Sequence, residues 1–277
     1  MDLCVTVVVG VGGMGRAIAR RLGAGTTLVL GDHDEGTLDR AATELRDEGH
    51  KVVAQLVDVT DRASVAALAD TAAGLGAVTR LAHTAGVSPA QATADRILRV
   101  DLLGVAFTIE EFAEVITPGG AGVVVASMAG YRLAVLPPDQ ELELTVTPAE
   151  YLLDLPFVRE ATRSPRTAYW LAKRANQLRV QAAAARWGER RARLNSISPG
   201  MVATPMGHAE FDGPSGDGMR AAVAASPARR VGTPADVASA AAFLLGPDAG
   251  YITGTDLLVD GGVTAARAQV ARAVAAR

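Results

Sequence analysis

The chain has 277 residues, of which 49% are hydrophobic and 21% are charged. This composition indicates an ordinary globular protein with a substantial core, and the length allows one large domain or two small ones. The net charge of −3 gives no electrostatic reason to expect a nucleic-acid partner or an anionic membrane surface.

No apolar run is long enough to cross a bilayer, and the N-terminus lacks the pattern of a secretory signal, so we expect a cytoplasmic protein. Cys4 is the single cysteine, which excludes a disulfide framework and a thiolate metal cluster. Its place in an apolar run predicts a small buried side chain. His50 and His208 are isolated and no pair has metal-ligand spacing, so we expect no metal site.

Residues 3–9 form a continuous β-branched run, which predicts a strand covered on both faces. A Gly-x-Gly-x-x-Gly segment follows, and a helix is predicted over 16–22. Glycines in this context let the backbone approach a pyrophosphate, and the helix N-terminus supplies N–H groups and a positive dipole. The segment predicts dinucleotide contacts from Gly10, Gly12, Gly13, Met14 and Gly15.

The second apolar run, residues 26–30, leads to Asp32. An acidic side chain at this distance from the glycines binds the ribose hydroxyls of NAD and repels the 2′-phosphate of NADP, which favours NAD. His33 weakens that preference, because a protonated imidazole could accommodate a phosphate. Asp34 could equally serve only as the N-cap of a helix over 35–48.

Strands and helices alternate along the rest of the chain. Further strands are predicted over 52–57, 80–84, 123–126, 193–197 and 256–259, and helices over 64–73, 95–116, 175–187 and 234–245. This alternation specifies an α/β fold, a single doubly wound Rossmann-type parallel sheet flanked by helices on both faces. Ligands bind beyond the carboxyl ends of such strands, where four residues fall: Asp32, Asp58, Gly86 and Ser127.

Two segments lie outside this alternation. The glycines and prolines of 207–218 predict a mobile loop or flap, and we expect 205–226 to form the substrate-binding loop. The tail, 265–277, could be a helix on a partner subunit or a frayed end.

Tyr169 and Lys173 are four residues apart in a segment of high helix propensity, so they share one helix face. A free tyrosine has a pKa of about 10. A nearby ammonium favours the phenolate and brings that pKa toward the working range of an acid or base. Only Lys51 and Lys173 are lysine among 27 basic residues, which suggests that a compact ammonium is needed here.

These motifs together resemble the short-chain dehydrogenase/reductase family over nearly the full length. The resemblance rests on the glycine loop, Asp58-Val59, Ala85-Gly86, Ser127, Tyr169-x-x-x-Lys173, the run from Asn195 to Gly200, Thr204 and Asp260-Gly261-Gly262. Their order and spacing are far more specific than any one of them.

The resemblance implies a role for each matching residue. Tyr169 would be the acid in ketone reduction and the base in alcohol oxidation. Lys173 would lower its pKa and hold the nicotinamide ribose, and Ser127 would hydrogen-bond the carbonyl oxygen. The remaining implied cofactor contacts are Asp58 and Val59 at the adenine, Val202 and Thr204 at the carboxamide, and Ala85, Gly86, Pro199 and Gly200.

Three positions depart from the family pattern. The glycine nearest to the family's first loop position is Gly10, and it fits a glycine loop one residue shorter than the usual family loop. His83 and Thr84 replace two asparagines whose amides brace the central strands. Asp101 stands where the family has a catalytic asparagine. Its carboxylate could join the proton relay or raise the pKa of Lys173, or it could be only a residue at a helix kink.

The segment between Ser127 and Tyr169 is unusually long for the family, with about 131–165 as an insertion. Thr147 and Pro148 predict a helix start, followed by an apolar face. We expect a lid over the substrate or, nearly as well supported, a subunit-contact arm.

The sequence therefore predicts an NAD(P)(H)-dependent oxidoreductase, with NAD preferred, that interconverts a fairly apolar secondary alcohol and its ketone. A homotetramer or homodimer is expected from the family. The alternatives are a dinucleotide-binding sensor without catalysis, and a reductase of C=C or C=N bonds on the same fold.

Overall fold

The computed structural model describes residues 3–132 and 136–275, with side chains described as far as residue 269. Seven parallel strands form one sheet in the order β3-β2-β1-β4-β5-β6-β7. The strands are β1 Cys4–Val9, β2 Thr27–Asp32, β3 Lys51–Leu56, β4 Ala77–His83, β5 Ile116–Val125, β6 Arg193–Pro199 and β7 Asp256–Val259. The order reverses between β1 and β4, which places the ligand-binding crevice of a doubly wound sheet beside these strands.

Twelve α-helices accompany the sheet in the described part of the chain. They are α1 Gly13–Leu22, α2 Glu35–Asp47, α3 Arg62–Leu75, α4 Ala94–Ile97, α5 Gly104–Val115, α6 Pro138–Val146, α7 Pro156–Ala161, α8 Pro165–Glu189, α9 Pro205–Asp212, α10 Gly216–Ala225, α11 Pro234–Leu245 and α12 Val263–Ala275. None of the described helices is long and apolar enough to cross a membrane.

A separate apolar core covers each face of the sheet. The alternation along the strands sends Val7 to one face and Val8 to the other, and both are fully buried. The first face packs against α3, α5 and α8, where Trp187 is buried and donates its indole N–H to the Ile109 carbonyl at 3.2 Å. The second packs against α1, α2 and α11. The predicted fold is confirmed.

Three local predictions are wrong. Cys4 is exposed, because it lies at the very start of β1. The helix predicted over 95–116 is divided into α4, a π-helical turn Leu98–Leu103 and α5, and Ile116 already belongs to β5. Most of the segment 207–218, expected as a loop, lies in α9 and α10, and only 213–215 form a turn between these helices. The Thr204 hydroxyl accepts from the Gly207 N–H at 3.0 Å, and Pro205 takes the first helical position.

The described residues of the 131–165 segment pack against the core beside α8. Leu144, Leu152 and Val158 are fully buried in the core on the α8 side. Arg179 of α8 donates to the Leu144 and Thr147 carbonyls, both at 3.0 Å. Thr147 ends α6, and a 3₁₀ turn Ala149–Asp154 follows in place of the predicted helix start.

Candidate active site

The glycine loop between β1 and α1 is held close to the end of β4. Gly10 has a φ of +85°, and a Cβ there would lie 2.4 Å from the Ala85 nitrogen, so only glycine fits. The Thr84 hydroxyl donates to the Gly10 carbonyl, so a residue that replaces a family asparagine still braces the loop. A Cβ on Gly12 would meet nothing within 4 Å, so this side of the loop is open.

The loop and the N-terminus of α1 have the chemistry of a phosphate cradle. Gly12 is the N-cap of α1 and makes no side-chain capping bond, so no side chain takes the first N–H groups of the helix. Backbone donors beside an open glycine surface fit the pyrophosphate of a dinucleotide. Gly13 and Gly15 lie at tight approaches, to the Thr204 side chain and to the Gly10 carbonyl.

Asp32 ends β2 beside this loop and anchors it. One carboxylate oxygen accepts from the Val11 N–H at 2.8 Å, and the other accepts from the Asp34 N–H at 3.1 Å. The exposed ring of His33 lies 3.3 Å from the same carboxylate. Asp34 is the N-cap of α2 and accepts from Thr37. Asp32 and His33 thus lie at the end of β2, directly beside the glycine loop.

Asp58 and Val59 follow β3 at the same sheet edge. The Asp58 carboxylate is held by the Thr60 N–H at 2.9 Å, while Val59 is buried against Gly104. Ala85 and Gly86 follow β4, and the Ala85 N–H donates to the Val9 carbonyl at 2.9 Å.

An open cleft of about 840 Å³ extends from the glycine loop along this edge. Ser127, Tyr169 and Met14 line it together, although they come from three distant parts of the sequence. The predicted residues after β6 also line it, namely Pro199, Gly200, Val202 and Thr204. The remaining predicted cofactor residues, in the glycine loop, at the ends of β2, β3 and β4 and at Lys173, are not among the residues that line it.

Tyr169 and Lys173 lie one turn apart on α8, as predicted. Ser164 caps the helix by accepting from the Thr167 N–H at 3.3 Å, which fixes where Tyr169 enters the cleft. The Lys173 ammonium is 5.4 Å from the centroid of the Tyr169 ring, and Lys173 is 4% exposed. Ser127 follows β5, and its Oγ accepts from the Ala129 N–H at 3.1 Å.

Burial raises the pKa of Tyr169, while Lys173 and Ser127 act in the opposite direction. The negative charge of Asp101 adds to the upward shift of the pKa. Tyr169 is therefore a neutral phenol with a proton to donate, and the neighbouring ammonium stabilises the phenolate that remains once the proton has left.

Asp101 lies directly behind Lys173. It is fully buried in the π-helical turn, one carboxylate oxygen accepts from the Val87 N–H at 2.9 Å, and the other is 3.7 Å from the Lys173 ammonium. Burial raises the pKa of Asp101 to about 6, against the attraction of Lys173. A Cβ on Gly86 would lie 3.0 Å from the Asp101 carboxylate and 3.4 Å from the ammonium, so glycine makes room for this pair.

His83 is a second buried polar group on this side of the sheet. It is fully buried, and neither ring nitrogen has a hydrogen-bond partner among the described residues. Burial and then the charge of Lys173 lower the pKa of His83 to about 3, so the ring is neutral. The described residues contain no cluster of three or more His, Cys, Asp or Glu that could hold a metal.

Sequence reasoning missed part of the cleft wall. Three arginines line it, as does Trp170, and none of them belongs to a recognisable motif, whereas Glu210 lies in the 205–226 segment expected to form the substrate-binding loop. The arginines are Arg132, Arg166 and Arg267. Of the 131–165 segment, Arg132, Ser164 and Pro165 line the cleft, and the described residues 136–163 between them do not.

Two family profiles match most of the chain. The one described as short chain dehydrogenase matches residues 4–136, and the one described as enoyl-(acyl carrier protein) reductase matches residues 157–264.

Relatives of nearly equal length share this organisation. A short-chain dehydrogenase/reductase of Alternaria brassicicola is 40% identical, covering 96% of this chain and 97% of that protein. Cis-4-hydroxycyclohexanecarboxylate dehydrogenase of Sinomonas cyclohexanicum is 31% identical, covering 94% of this chain and 96% of that protein. A crystal structure of levodione reductase shares the fold, with a TM-score of 0.77, 23% identity and coverage of 95% and 98%.

Proposed function

The chain belongs to the short-chain dehydrogenase/reductase family of oxidoreductases, and we propose that it interconverts a secondary alcohol and a ketone with a nicotinamide cofactor. The observation that carries this proposal is the meeting of Ser127 and Tyr169 in one cleft, with Lys173 buried behind the tyrosine. The cleft also reaches the glycine cradle.

The proposed chemistry assigns a task to each of these side chains. The cofactor, when bound, supplies or accepts the hydride at the carbinol carbon. Tyr169 donates its phenolic proton to the ketone oxygen in reduction and takes the alcohol proton in oxidation. The Ser127 hydroxyl donates a hydrogen bond to the same oxygen as negative charge develops on it. Lys173 stabilises the phenolate of Tyr169 electrostatically.

Asp101 belongs in this scheme as a positioning residue. Its carboxylate fixes the turn through the Val87 N–H and faces the Lys173 ammonium at 3.7 Å. A buried cation with no counter-charge would be costly, so the Asp101 carboxylate supplies the counter-charge for the Lys173 ammonium behind Tyr169. The family asparagine can supply hydrogen bonds at this place but no charge.

We propose NAD as the preferred cofactor. The Asp32 carboxylate lies at the end of β2, and the Val11 N–H fixes it beside the loop. A 2′-phosphate placed there would meet a fixed negative charge. His33 is 64% exposed in its side chain and can turn toward solvent, so it offsets this repulsion weakly.

The cleft suits a substrate with an apolar body. Methionine side chains from several parts of the chain line it together with Trp170, and these side chains adapt to irregular shapes. The five methionines are Met14, Met128, Met201, Met206 and Met219. The name of one relative, cis-4-hydroxycyclohexanecarboxylate dehydrogenase, states a cyclic compound. A cyclic secondary alcohol is therefore the first substrate class to test.

Of the 131–165 alternatives, we propose the subunit-contact arm, with a second copy of this chain as its partner. Leu142, Val146 and Tyr151 project from this segment with exposures of 60%, 66% and 61%. Three exposed apolar side chains so close in sequence are unusual for a surface that stays in water. Sedimentation of wild type and L142D/V146D would test this: smaller particles are expected for the double variant, and identical sedimentation contradicts the arm.

The proposed reaction is tested by turnover of NAD and of NADP with cyclic and aliphatic secondary alcohols, and with the corresponding ketones in reverse. We expect NAD-dependent oxidation of at least one alcohol, and a loss of about 100-fold in kcat for S127A, the size typical for removal of one such donor. Tight cofactor binding without turnover across the panel would favour the sensor. Turnover confined to unsaturated substrates would favour C=C reduction.

A further inference from the structure

Three positive side chains lie in the substrate cleft. Arg132 follows the turn after Ser127, Arg166 lies in the first turn of α8, and Arg267 comes from α12. Glu210 is the one acidic residue among those that line the cleft within the described chain, and its carboxylate accepts from the Ala90 N–H at 2.9 Å. The lining therefore has an excess of positive charge.

Many arginines elsewhere in the described structure pair with carboxylates, and the three cleft arginines do not. Arg62, Arg174 and Arg179 each pair with glutamates at 3.0 Å or less. None of the three cleft arginines forms an ion pair with a described residue. Arg132 has only the Met128 sulfur at 4.0 Å, and Arg166 has only the Ser215 hydroxyl at 3.3 Å.

The arginines also repel one another. Burial lowers the pKa of Arg132 to about 10, and the charges of Arg267 and Arg166 push its pKa in the same direction. Like charges held together beside a half-buried guanidinium are unfavourable unless an anion joins them. Arg132 is also close enough to Tyr169 for a phenolate charge to act on its pKa, so this cluster adjoins the reacting end of the cleft.

We propose that the cleft takes a substrate with an anionic group, a carboxylate on the apolar body, and that Arg132, Arg166 and Arg267 bind this group. This inference rests on the proposed function for the alcohol or ketone at the other end of the substrate. Guanidinium groups offer paired N–H donors that match the two oxygens of a carboxylate. The methionines and Trp170 would then contact the ring or chain between the two polar ends.

The test compares the binding of two matched probes to the NAD-saturated protein by calorimetry. The probes are cyclohexanecarboxylate and the neutral cyclohexanecarboxamide, which have nearly the same shape. We expect the acid to bind at least about tenfold more tightly, because hydrogen bonds to a charged group are stronger than those to a neutral one. Added salt should weaken the binding of the acid and leave the binding of the amide unchanged. Equal binding of the two probes would overturn the proposal.

Single variants locate the group that recognises the anion. We expect R132Q, R166Q and R267Q each to reduce the preference for the acid several-fold. R132K should retain part of the preference that R132Q loses. The matched control is R159Q, because Arg159 is exposed, pairs with Asp154 and lies outside the cleft. An unchanged preference in all three cleft variants would contradict the assignment. Arg166 and Arg267 are exposed, so their variants remain informative if R132Q does not fold.

Two further readouts separate the possible sources of failure. The affinity for NAD should stay the same in the three variants, and a parallel loss of NAD affinity would assign the arginines to the cofactor phosphates instead. Binding of the probes requires no turnover, so a preference for the acid without any alcohol oxidation would refute the proposed function alone. Turnover of neutral alcohols with no preference for the acid would refute this inference alone.

Discussion

Replacement of Asp101 by asparagine should move the pH profile of alcohol oxidation to lower pH. Lys173 Nζ lies 3.7 Å from the Asp101 carboxylate and 5.4 Å from the centroid of the Tyr169 ring, so carboxylate and ring are at most about 9 Å apart. A unit charge at about 9 Å is worth roughly 2 kcal/mol at an effective dielectric constant of about 20, or about one pKa unit. D101N removes that charge and keeps the shape of the side chain.

The assay is kcat/KM for alcohol oxidation from pH 5 to pH 11 in wild type and D101N, a range that extends above the ordinary tyrosine pKa of about 10 because burial raises the pKa of Tyr169. We expect the pKa of the rising limb, which reports Tyr169, to fall by about one unit in D101N, because the Asp101 charge raises the pKa of Tyr169. Any inflection near pH 6 that reports Asp101 should disappear.

The control for this comparison is D95N. Asp95 is exposed, pairs with Arg99 and lies one turn before the π-helical turn, so its loss should leave the profile unchanged. Superimposable profiles of wild type and D101N would refute the electrostatic link between Asp101 and Tyr169. A shift to higher pH would show that the main effect of Asp101 is to keep Lys173 charged.

Three further outcomes follow from the same contacts. Because burial raises the pKa of Asp101 from 3.8 to about 6, the folded state holds this proton to higher pH, so stability should fall by about 3 kcal/mol as pH rises from about 4 to about 6. Urea unfolding would measure this fall, and D101N should abolish it. G86A should push the Asp101–Lys173 pair apart, reduce turnover and lower the free energy of unfolding in urea by about 1–3 kcal/mol. The control is G74A, because a Cβ at Gly74 meets nothing within 4 Å, and this variant should unfold at the same urea concentration as the wild type. D32N should raise the kcat/KM ratio of NADP to NAD by about tenfold, and an unchanged ratio would remove Asp32 as the basis of cofactor choice.

The sheet and the catalytic cluster were predictable because their signals are local in sequence. Apolar runs of strand length alternate with helical segments, which fixes a doubly wound sheet and its carboxyl edge. The pairing of Tyr169 with Lys173 could be predicted because one helix turn separates them. The role of Gly10 could be predicted because a glycine loop implies a close approach of two backbone segments. The capping bond of Ser164 and the room left by Gly86 became visible only in three dimensions.

The wrong predictions came from competing local signals. The glycines of 207–218 favour a loop, but Thr204 and Pro205 form a strong helix start immediately before them. The periodicity of 95–116 continues through the π-helical turn, whose extra residue per turn leaves no trace in an apolar pattern. The apolar run around Cys4 predicts a strand but does not show which of its residues are buried, and Cys4 lies at the exposed start of that strand.

The cleft arginines could not be found from the sequence. Arg132, Arg166 and Arg267 are far apart along the chain and meet only because α8 and α12 border the same cleft. Arginine is also the default cation of this chain, so its presence at a given position carries little information. The structure distinguishes these three by what surrounds them, an apolar wall and no described carboxylate partner.

The most direct test of the proposed reaction compares wild type, Y169F and Y251F with an alcohol that the wild type oxidises. Tyr251 is fully exposed and lies outside the cleft, so it is the matched control. We expect Y251F to reduce NAD at the wild-type rate and Y169F to lose at least about 100-fold in kcat while it still binds NAD. Wild-type rates of NAD reduction in Y169F would contradict the assignment of Tyr169 as the acid and base.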